Sequence, residues 1–247
     1  GIRDRSPSRG LGDVYKRQLL ISKDQVELSA SICKVDLISD IVGEFPELQG
    51  IMGGYFAIEQ GFDKEIALAI SEHYLPTGLD SKTPKKPFSI ALALTDKIDT
   101  LVGFFGINQK PTSSKDPYAL RRSALGIIKL LIDNNKEFKI KDLISYSSSL
   151  HRDQGFEISN DLSQKELAEF LMDRLKYYMK EKKIRNDIIN ASSSSYGIDH
   201  MNKIYKKAST LNDLIKKDIG EDIISSYRRA SNILESELKQ SDLELSN

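Results

Sequence analysis

Two groups of residues in this chain have types and spacings that could do chemistry. The first group is His73 and Asp96, which fall on neighbouring predicted helices. A histidine and an aspartate could hold a metal ion, but a hydrolytic metal site needs several ligands that converge on one ion. The other histidines, His151 and His200, lie far along the chain, and Tyr rather than Asp follows His73. We therefore expect no metal site and no catalytic residue in this chain.

Asp96 has a second possible carboxylate partner, Asp99. The two are three residues apart, so they share one face of a helix. Paired carboxylates can do acid–base work. The interpretation that we favour is a solvated face, or ion pairs with Lys97 and nearby arginines.

The second group is a cationic segment that could bind nucleic acid, with Lys110 and Lys115 on a polar loop and Arg121 and Arg122 at the start of a helix. Lysine and arginine neutralise phosphates, and helix N-terminal amides add hydrogen bonds. We therefore predict RNA binding by Lys110, Lys115, Arg121 and Arg122. The same residues also permit an internal role, in which Asp116 pairs with one of the arginines.

A later stripe mixes aromatic and basic residues, with Tyr177 and Tyr178 among the lysines at 176, 180, 182 and 183. Such a stripe can stack bases and contact a backbone. It is more typical of a helix that is half core and half solvated face.

Composition limits the function classes. The 247 residues carry 36 basic and 36 acidic side chains, so the formal net charge is zero and any RNA contact must use a local patch.

The single Cys33 can form neither an internal disulfide nor a zinc knuckle, and we expect a buried, reduced thiol. No apolar run approaches the roughly 18 residues of a membrane span. No phosphate-binding loop and no secretory signal are visible. We expect a cytoplasmic protein with no membrane association.

The elements that must position these residues are predicted to be helices. Few prolines and many Lys, Glu, Leu and Ile favour an all-α fold. Apolar spacing predicts helices over 19–41, 47–60, 63–75, 88–106, 164–182, 208–218 and 220–237. Asp116 and Pro117 predict a further helix that begins at the proline. Ser163 and Glu166 predict a capping box, and the serines at 145–149 and 192–195 predict links.

The glycines at 50, 53 and 54 fall within a predicted helix. Glycine costs about 1 kcal/mol there relative to alanine. Their small size predicts close packing of another helix, or of a ligand backbone.

Residues 1–18 have four arginines and almost no apolar periodicity, which begins at Leu19. The string resembles translated adapter or linker sequence. We interpret it as a non-native segment and exclude it from the fold argument.

Four segments carry a family resemblance. They are VGEFPELQGIMGGYFA from residue 42, EHYLP at 72–76, ALTDKIDTLVGFFGI at 93–107 and PTSSKDPYALRRSALGIIKLL at 111–131. In this order and at this spacing they resemble the β subunit of the bacterial glycyl-tRNA synthetase. The resemblance is strong over residues 30–135 and weaker over the rest.

The resemblance implies a fold and a division of the chain. The implied fold is all-α, an HD-like helical bundle followed by further helices that lead towards an anticodon-binding helical domain. Residues 19–150 would form the HD-like domain, with His73 and Asp96 as vestigial HD-like positions. Residues 151–247 would form a helical linker and the beginning of the anticodon-binding region.

The resemblance also implies a function and partners. The chain would contribute tRNA recognition and subunit organisation to ATP-dependent glycylation of tRNA(Gly). Its partners would be tRNA(Gly) and the α subunit, in an α2β2 heterotetramer. ATP and Mg²⁺ would be used by the α subunit, and this chain would hold no cofactor. The alternatives are an HD-type metal-dependent phosphohydrolase and a purely architectural helical module.

Overall fold

The computed structural model describes residues 23–156, 161–194 and 196–245. Its described residues form eleven α-helices and no strand, so the all-α prediction is confirmed. The helices are α1 Lys23–Ile32, α2 Asp40–Glu44, α3 Ile51–Glu59, α4 Lys64–Glu72, α5 Pro87–Gly106, α6 Leu120–Asp133, α7 Ile140–Asp153, α8 Asp161–Glu181, α9 Asn186–Ser193, α10 Met201–Ile215 and α11 Asp218–Leu245. Short 3-10 turns lie at Val35–Ile38, Pro46–Leu48 and Ile198–His200. Within the described helices, none is both long and apolar enough to cross a membrane.

The helix α5 connects two apolar cores. Phe88 and Leu92 near its start pack into a smaller core with α1, α3 and α4. Leu94, Ile98 and Leu101 further along pack into a larger core with α6 to α10. The 20-residue helix is therefore buried at both ends, and side chains from either core can approach its middle.

Glycine at the start of α3 allows α3 and α4 to pack closely. Gly50 has φ +82°, a backbone conformation that residues with a side chain rarely adopt. A Cβ at Gly54 would lie 2.7 Å from the Cβ of Ser71, and one at Gly53 would lie 2.9 Å from Ile70. The helix-packing interpretation of these glycines is confirmed, and it is α4 that they approach.

Asp36 fixes the start of α3. Its buried carboxylate accepts hydrogen bonds from the amides of Gly50, at 2.6 Å, and Gly53, at 3.2 Å. Two of the donors that a helix N-terminus leaves unpaired are satisfied in this way. The predicted helix over 19–41 is wrong in extent, because α1 ends at Ile32 and the turn that carries Asp36 follows it.

The helix predicted to begin at Pro117 begins at Leu120 instead. Ala119 stands before it in a left-handed conformation, φ 52°. Asp116 still caps the helix, because its carboxylate accepts from the amides of Leu120, at 2.8 Å, and Arg121, at 3.0 Å. The capping acid was identified correctly, and the position of the first turn was not.

Two predictions about serine were wrong. The serines at 145–149 lie inside α7 rather than in a link, and the hydroxyls of Ser148 and Ser149 donate to carbonyls of the preceding turn, which satisfies them in the helix. Ser163 is the third residue of α8 rather than its cap, and Glu166 pairs with Lys110.

The larger core contains residues from both sides of the boundary predicted at residue 150. The division into an HD-like domain and a linker stays a prediction. The segment 1–18 lies outside the described residues, as do residues 19–22.

Candidate nucleic-acid interface

His73, the first vestigial position, is fully buried directly after α4. Its Nδ1 lies 2.6 Å from the carbonyl of Ile70, and its Nε2 has no hydrogen-bond partner. Burial lowers the pKa of His73 to about 4, because an apolar surrounding disfavours the charged imidazolium. The ring is therefore neutral at physiological pH.

Asp96, the second vestigial position, is half-buried on α5 and forms an ion pair with Lys34, at 2.6 Å. The Lys34 ammonium also lies 4.7 Å from the ring centroid of Tyr74. That geometry suits a cation–π contact. The carboxylate is thus already neutralised by a cation from the turn after α1.

Lys97, the residue after Asp96, is buried. Its ammonium donates to the carbonyls of His73, at 3.2 Å, and Tyr74, at 3.0 Å. Burial lowers the pKa of Lys97 to about 8. A Cβ at Gly126 would lie 2.5 Å from its Cε, so the glycine in α6 makes room for the lysine side chain.

These residues do not fit a metal ion. A divalent cation beside Asp96 would meet the ammonium groups of Lys34 and Lys97 at close range. Within the ranges that the structure describes, no group of three or more His, Cys, Asp or Glu side chains is placed to hold one. The arrangement therefore gives no support to the phosphohydrolase alternative.

Asp99 lies one helical turn after Asp96 and has different partners. Oδ1 of Asp99 lies 3.0 Å from Nε2 of His151. This distance is that of an ion pair, but the contact is not a well-directed hydrogen bond. The hydroxyl of Ser147 donates to the same oxygen at 3.4 Å. Each of the two aspartates therefore has its own partner, and the predicted partners were wrong, because Lys34 and His151 rather than Lys97 and arginine contact them.

The four predicted RNA-binding residues divide into two pairs. Lys110 forms an ion pair with Glu166, and Arg121 donates to the carbonyl of Thr112. Lys115 and Arg122 are exposed, and their side chains make no ion pair or hydrogen bond with the described residues. Asp116 contacts backbone amides rather than either guanidinium. Two cations thus remain uncompensated at the surface, beside a capped helix start.

Arg122 and Asp96 line one polar pocket of about 310 Å³. Its walls come from the turn at 46–49, the segment 74–77, the middle of α5 and the first turn of α6. One member of each group that the sequence singled out therefore lines this pocket, which also contains the hydroxyl-bearing side chains of Thr77 and Ser123. Whether RNA binds there stays a prediction.

The aromatic and basic stripe on α8 is half core and half surface. Tyr178 is buried in the larger core, whereas Tyr177 is exposed with the guanidinium of Arg174 5.5 Å from its ring centroid. The interpretation favoured from the sequence is confirmed.

Sequence reasoning missed the roles of Lys34 and Lys97. A signal existed for Lys97, because it lies three residues after Leu94 and four before Leu101, within the apolar stripe of α5. A lysine in such a stripe must find buried acceptors. For Lys34 the sequence offers no signal, because its partner Asp96 is remote along the chain.

Comparison with known proteins gives consistent matches. A family model described as the glycyl-tRNA synthetase beta subunit matches residues 9–194. That range includes the second half of the segment interpreted as non-native, whose origin stays a prediction. Curated relatives named glycine–tRNA ligase beta subunit match from Ruegeria sp., 42% identical over 211 residues, and from Rhodospirillum centenum, 40% identical over 218 residues. Another from Rickettsia canadensis is 40% identical over 216 residues.

These matches cover most of this chain and a small part of each relative. The Ruegeria match spans 85% of this chain and 29% of the relative. The Rhodospirillum centenum match spans 88% and 30%, and the Rickettsia canadensis match 86% and 31%. The chain therefore spans about 30% of the length of the curated relatives that it matches.

Proposed function

Because the chain belongs to the glycyl-tRNA synthetase beta subunit family, we propose that it contributes tRNA recognition and subunit organisation to ATP-dependent glycylation of tRNA(Gly). The catalytic core, with its ATP and Mg²⁺, lies in an α subunit, and the assembly is an α2β2 heterotetramer in the cytoplasm. The chain by itself does not charge tRNA. Its bundle is a degenerate HD-like scaffold in which Lys34 and Lys97 supply the positive charge beside Asp96.

The observation that carries the proposal is the pair of uncompensated cations, Lys115 and Arg122. A surface cation that already has a carboxylate partner must give up that ion pair to bind a phosphate. Lys115 and Arg122 have no such partner among the described residues, so they can neutralise phosphates without that cost. The other two predicted contacts, Lys110 and Arg121, hold the loop between α5 and α6 through Glu166 and Thr112.

The test measures tRNA binding by the 247-residue chain at several KCl concentrations. Lys115→Ala combined with Arg122→Ala removes two phosphate contacts. We expect the slope of log affinity against log salt to become shallower by about 1.5, and the affinity at low salt to fall roughly tenfold or more. Circular dichroism melts check that each variant folds.

The matched control is Lys216→Ala with Lys217→Ala, which removes two exposed cations from the turn between α10 and α11. We expect a much smaller change in affinity and slope. If both double variants behave alike, general charge rather than this surface carries the binding. If the Lys115 and Arg122 variant matches the unchanged chain, the proposed interface is wrong.

The second half of the proposal, subunit organisation, is supported by an exposed apolar surface between residues 35 and 58. It comprises Val35, Ile38, Ile41, Ile51, Tyr55 and Ile58. The turn at 35–38 contacts both α2 and α3, so these side chains lie on neighbouring elements, and a contiguous exposed apolar patch is typical of protein contact surfaces. Ile38→Glu is expected to weaken association with purified α subunit in size-exclusion chromatography, with Tyr196→Glu as an exposed control. Equal elution of both variants with the α subunit would count against this surface.

A further inference from the structure

A second pocket, of about 380 Å³, lies between the later half of α5 and the end of α7. Phe104, Ile107 and Phe156 form its apolar walls, and Asp99 and His151 are its charged groups. A mostly apolar pocket of this size with a few polar groups is typical of sites that hold a small ligand. Neither the family resemblance nor the cationic surface accounts for it.

Aromatic rings flank this pocket. The ring of Phe104 stacks on Tyr118, with centroids 4.1 Å apart and planes 23° from parallel. Phe156 is 54% exposed and meets the ring of His151 edge-on at 6.0 Å. Rings held in this way can stack a planar group, and base–aromatic stacking is a common means of holding single-stranded nucleic acid.

The pocket is linked to the cationic loop through one wall residue, Phe104, whose ring stacks on Tyr118. Tyr118, which stacks on Phe104, lies three residues after Lys115 in the connection between α5 and α6. RNA with a base stacked on Phe104 could run its sugar–phosphate backbone along this connection, towards the uncompensated ammonium of Lys115. Where His151 is protonated, its contact with Asp99 at 3.0 Å offsets the negative charge of the carboxylate in the pocket.

The carboxylate of Asp99 determines which base edge is favoured. Its Oδ1 contacts His151 and Ser147, and its Oδ2 makes no ion pair or hydrogen bond with the described residues. An ionised carboxylate only accepts hydrogen bonds. It therefore favours a base edge with an amino group, such as N4 of cytosine, over the edge of uracil, where the single N3–H donor lies between two carbonyl oxygens that a carboxylate repels.

We propose that this pocket binds one unpaired nucleobase that carries an exocyclic amino group, in RNA whose backbone follows Lys115. The inference rests on the proposed function, because it needs RNA on this surface. It adds a base-reading contact to the phosphate contacts, which carry no sequence information of their own.

The test uses fluorescein-labelled RNA octamers of cytidine, adenosine or uridine and fluorescence anisotropy with the 247-residue chain. We expect the cytidine and adenosine octamers to bind more tightly than the uridine octamer. Phe156→Ala should lower affinity for the cytidine octamer about tenfold without changing the salt slope, since stacking releases no counterions. Asp99→Asn should remove the discrimination against uridine, because an amide both donates and accepts.

Two further variants make the result decisive. Gly103→Leu fills the pocket without removing any of its groups, and a Cβ at this position would first meet the His151 ring at an ordinary 3.5 Å. We expect it to act like Phe156→Ala. Tyr196→Ala removes a ring that is 42% exposed elsewhere, and it should bind all three octamers as the unchanged chain does.

Equal affinity for uridine and cytidine octamers overturns the inference. Unchanged cytidine binding in both Phe156→Ala and Gly103→Leu also overturns it. If in the same experiments the Lys115 and Arg122 variant loses affinity and salt dependence, the proposed function stands without a base pocket. If that variant keeps both, the RNA surface itself fails, whatever the pocket variants show.

Discussion

The neutral, buried His73 should make the fold sensitive to mild acid. The unfolded chain binds a proton on this histidine with an ordinary pKa near 6.5, whereas burial lowers the folded-state pKa of His73 to about 4. Above pH 6.5 both states are unprotonated, and the contribution of neutral His73 to stability is fully present. As pH falls below 6.5 only the unfolded state gains the proton, so stability is lost until the pH reaches about 4.

The size of the loss follows from these two pKa values. The difference of about 2.5 units corresponds to about 3 kcal/mol when the transition is complete. By pH 5, before most carboxylates titrate, about 2 kcal/mol should be lost. That is a large share of the roughly 5 to 15 kcal/mol that holds a domain of this kind folded.

The assay is urea unfolding followed by circular dichroism at pH 7, 6 and 5. The comparison is His73→Asn, whose amide can still donate to the carbonyl of Ile70 in place of Nδ1 but does not titrate. The variant should start less stable, because a smaller side chain leaves a cavity. Between pH 7 and pH 5 it should lose about 2 kcal/mol less than the unchanged chain.

Subtracting the loss of unfolding free energy in His73→Asn from the loss in the unchanged chain cancels the contributions of the other titrating groups, including His151. The contact with the Asp99 carboxylate raises the pKa of His151, so its contribution to stability is present at low pH and fades as pH rises. Parallel loss of stability in the two proteins between pH 7 and pH 5 would refute the reasoning about His73.

Three further variants or reactions probe single contacts. Gly126→Ala should lower the free energy of unfolding by about 1 to 3 kcal/mol, since its Cβ would overlap the fixed Lys97 and the gain of about 1 kcal/mol in helix propensity is smaller. A more stable variant in urea unfolding would mean that the lysine moves aside. Asp36→Ala should cost about 2 kcal/mol in the same measurement, because two buried amides at the start of α3 lose their acceptor; a change below about 0.5 kcal/mol would contradict that role. Burial raises the pKa of the Cys33 thiol to about 11, so its reaction with a disulfide reagent at pH 7 should follow unfolding. Rapid labelling of the folded chain would show that the thiol is reachable.

Several local features could be predicted because they depend on neighbours along the chain. The apolar stripe of Leu94, Ile98 and Leu101 predicted the buried face of α5, since helical periodicity is set within a turn or two. Asp116 was recognised as a capping acid for the same reason. Element ends were less predictable, as Ala119 shows, because its left-handed conformation shifts the start of α6 by three residues.

The sequence alone determined that the chain is helical and that it carries a cationic segment near residue 115, because residue type and spacing along a helix suffice for both. It could not determine which cations are available, since Lys110 meets Glu166 across 56 positions of chain. Only the packing of α5 between two cores decided that Lys97 is buried, that Asp96 pairs with Lys34, and that Phe104 lines a cavity. Ion pairs, burial and cavities depend on distances between segments that are remote in the chain, and those distances exist only once the helices have packed.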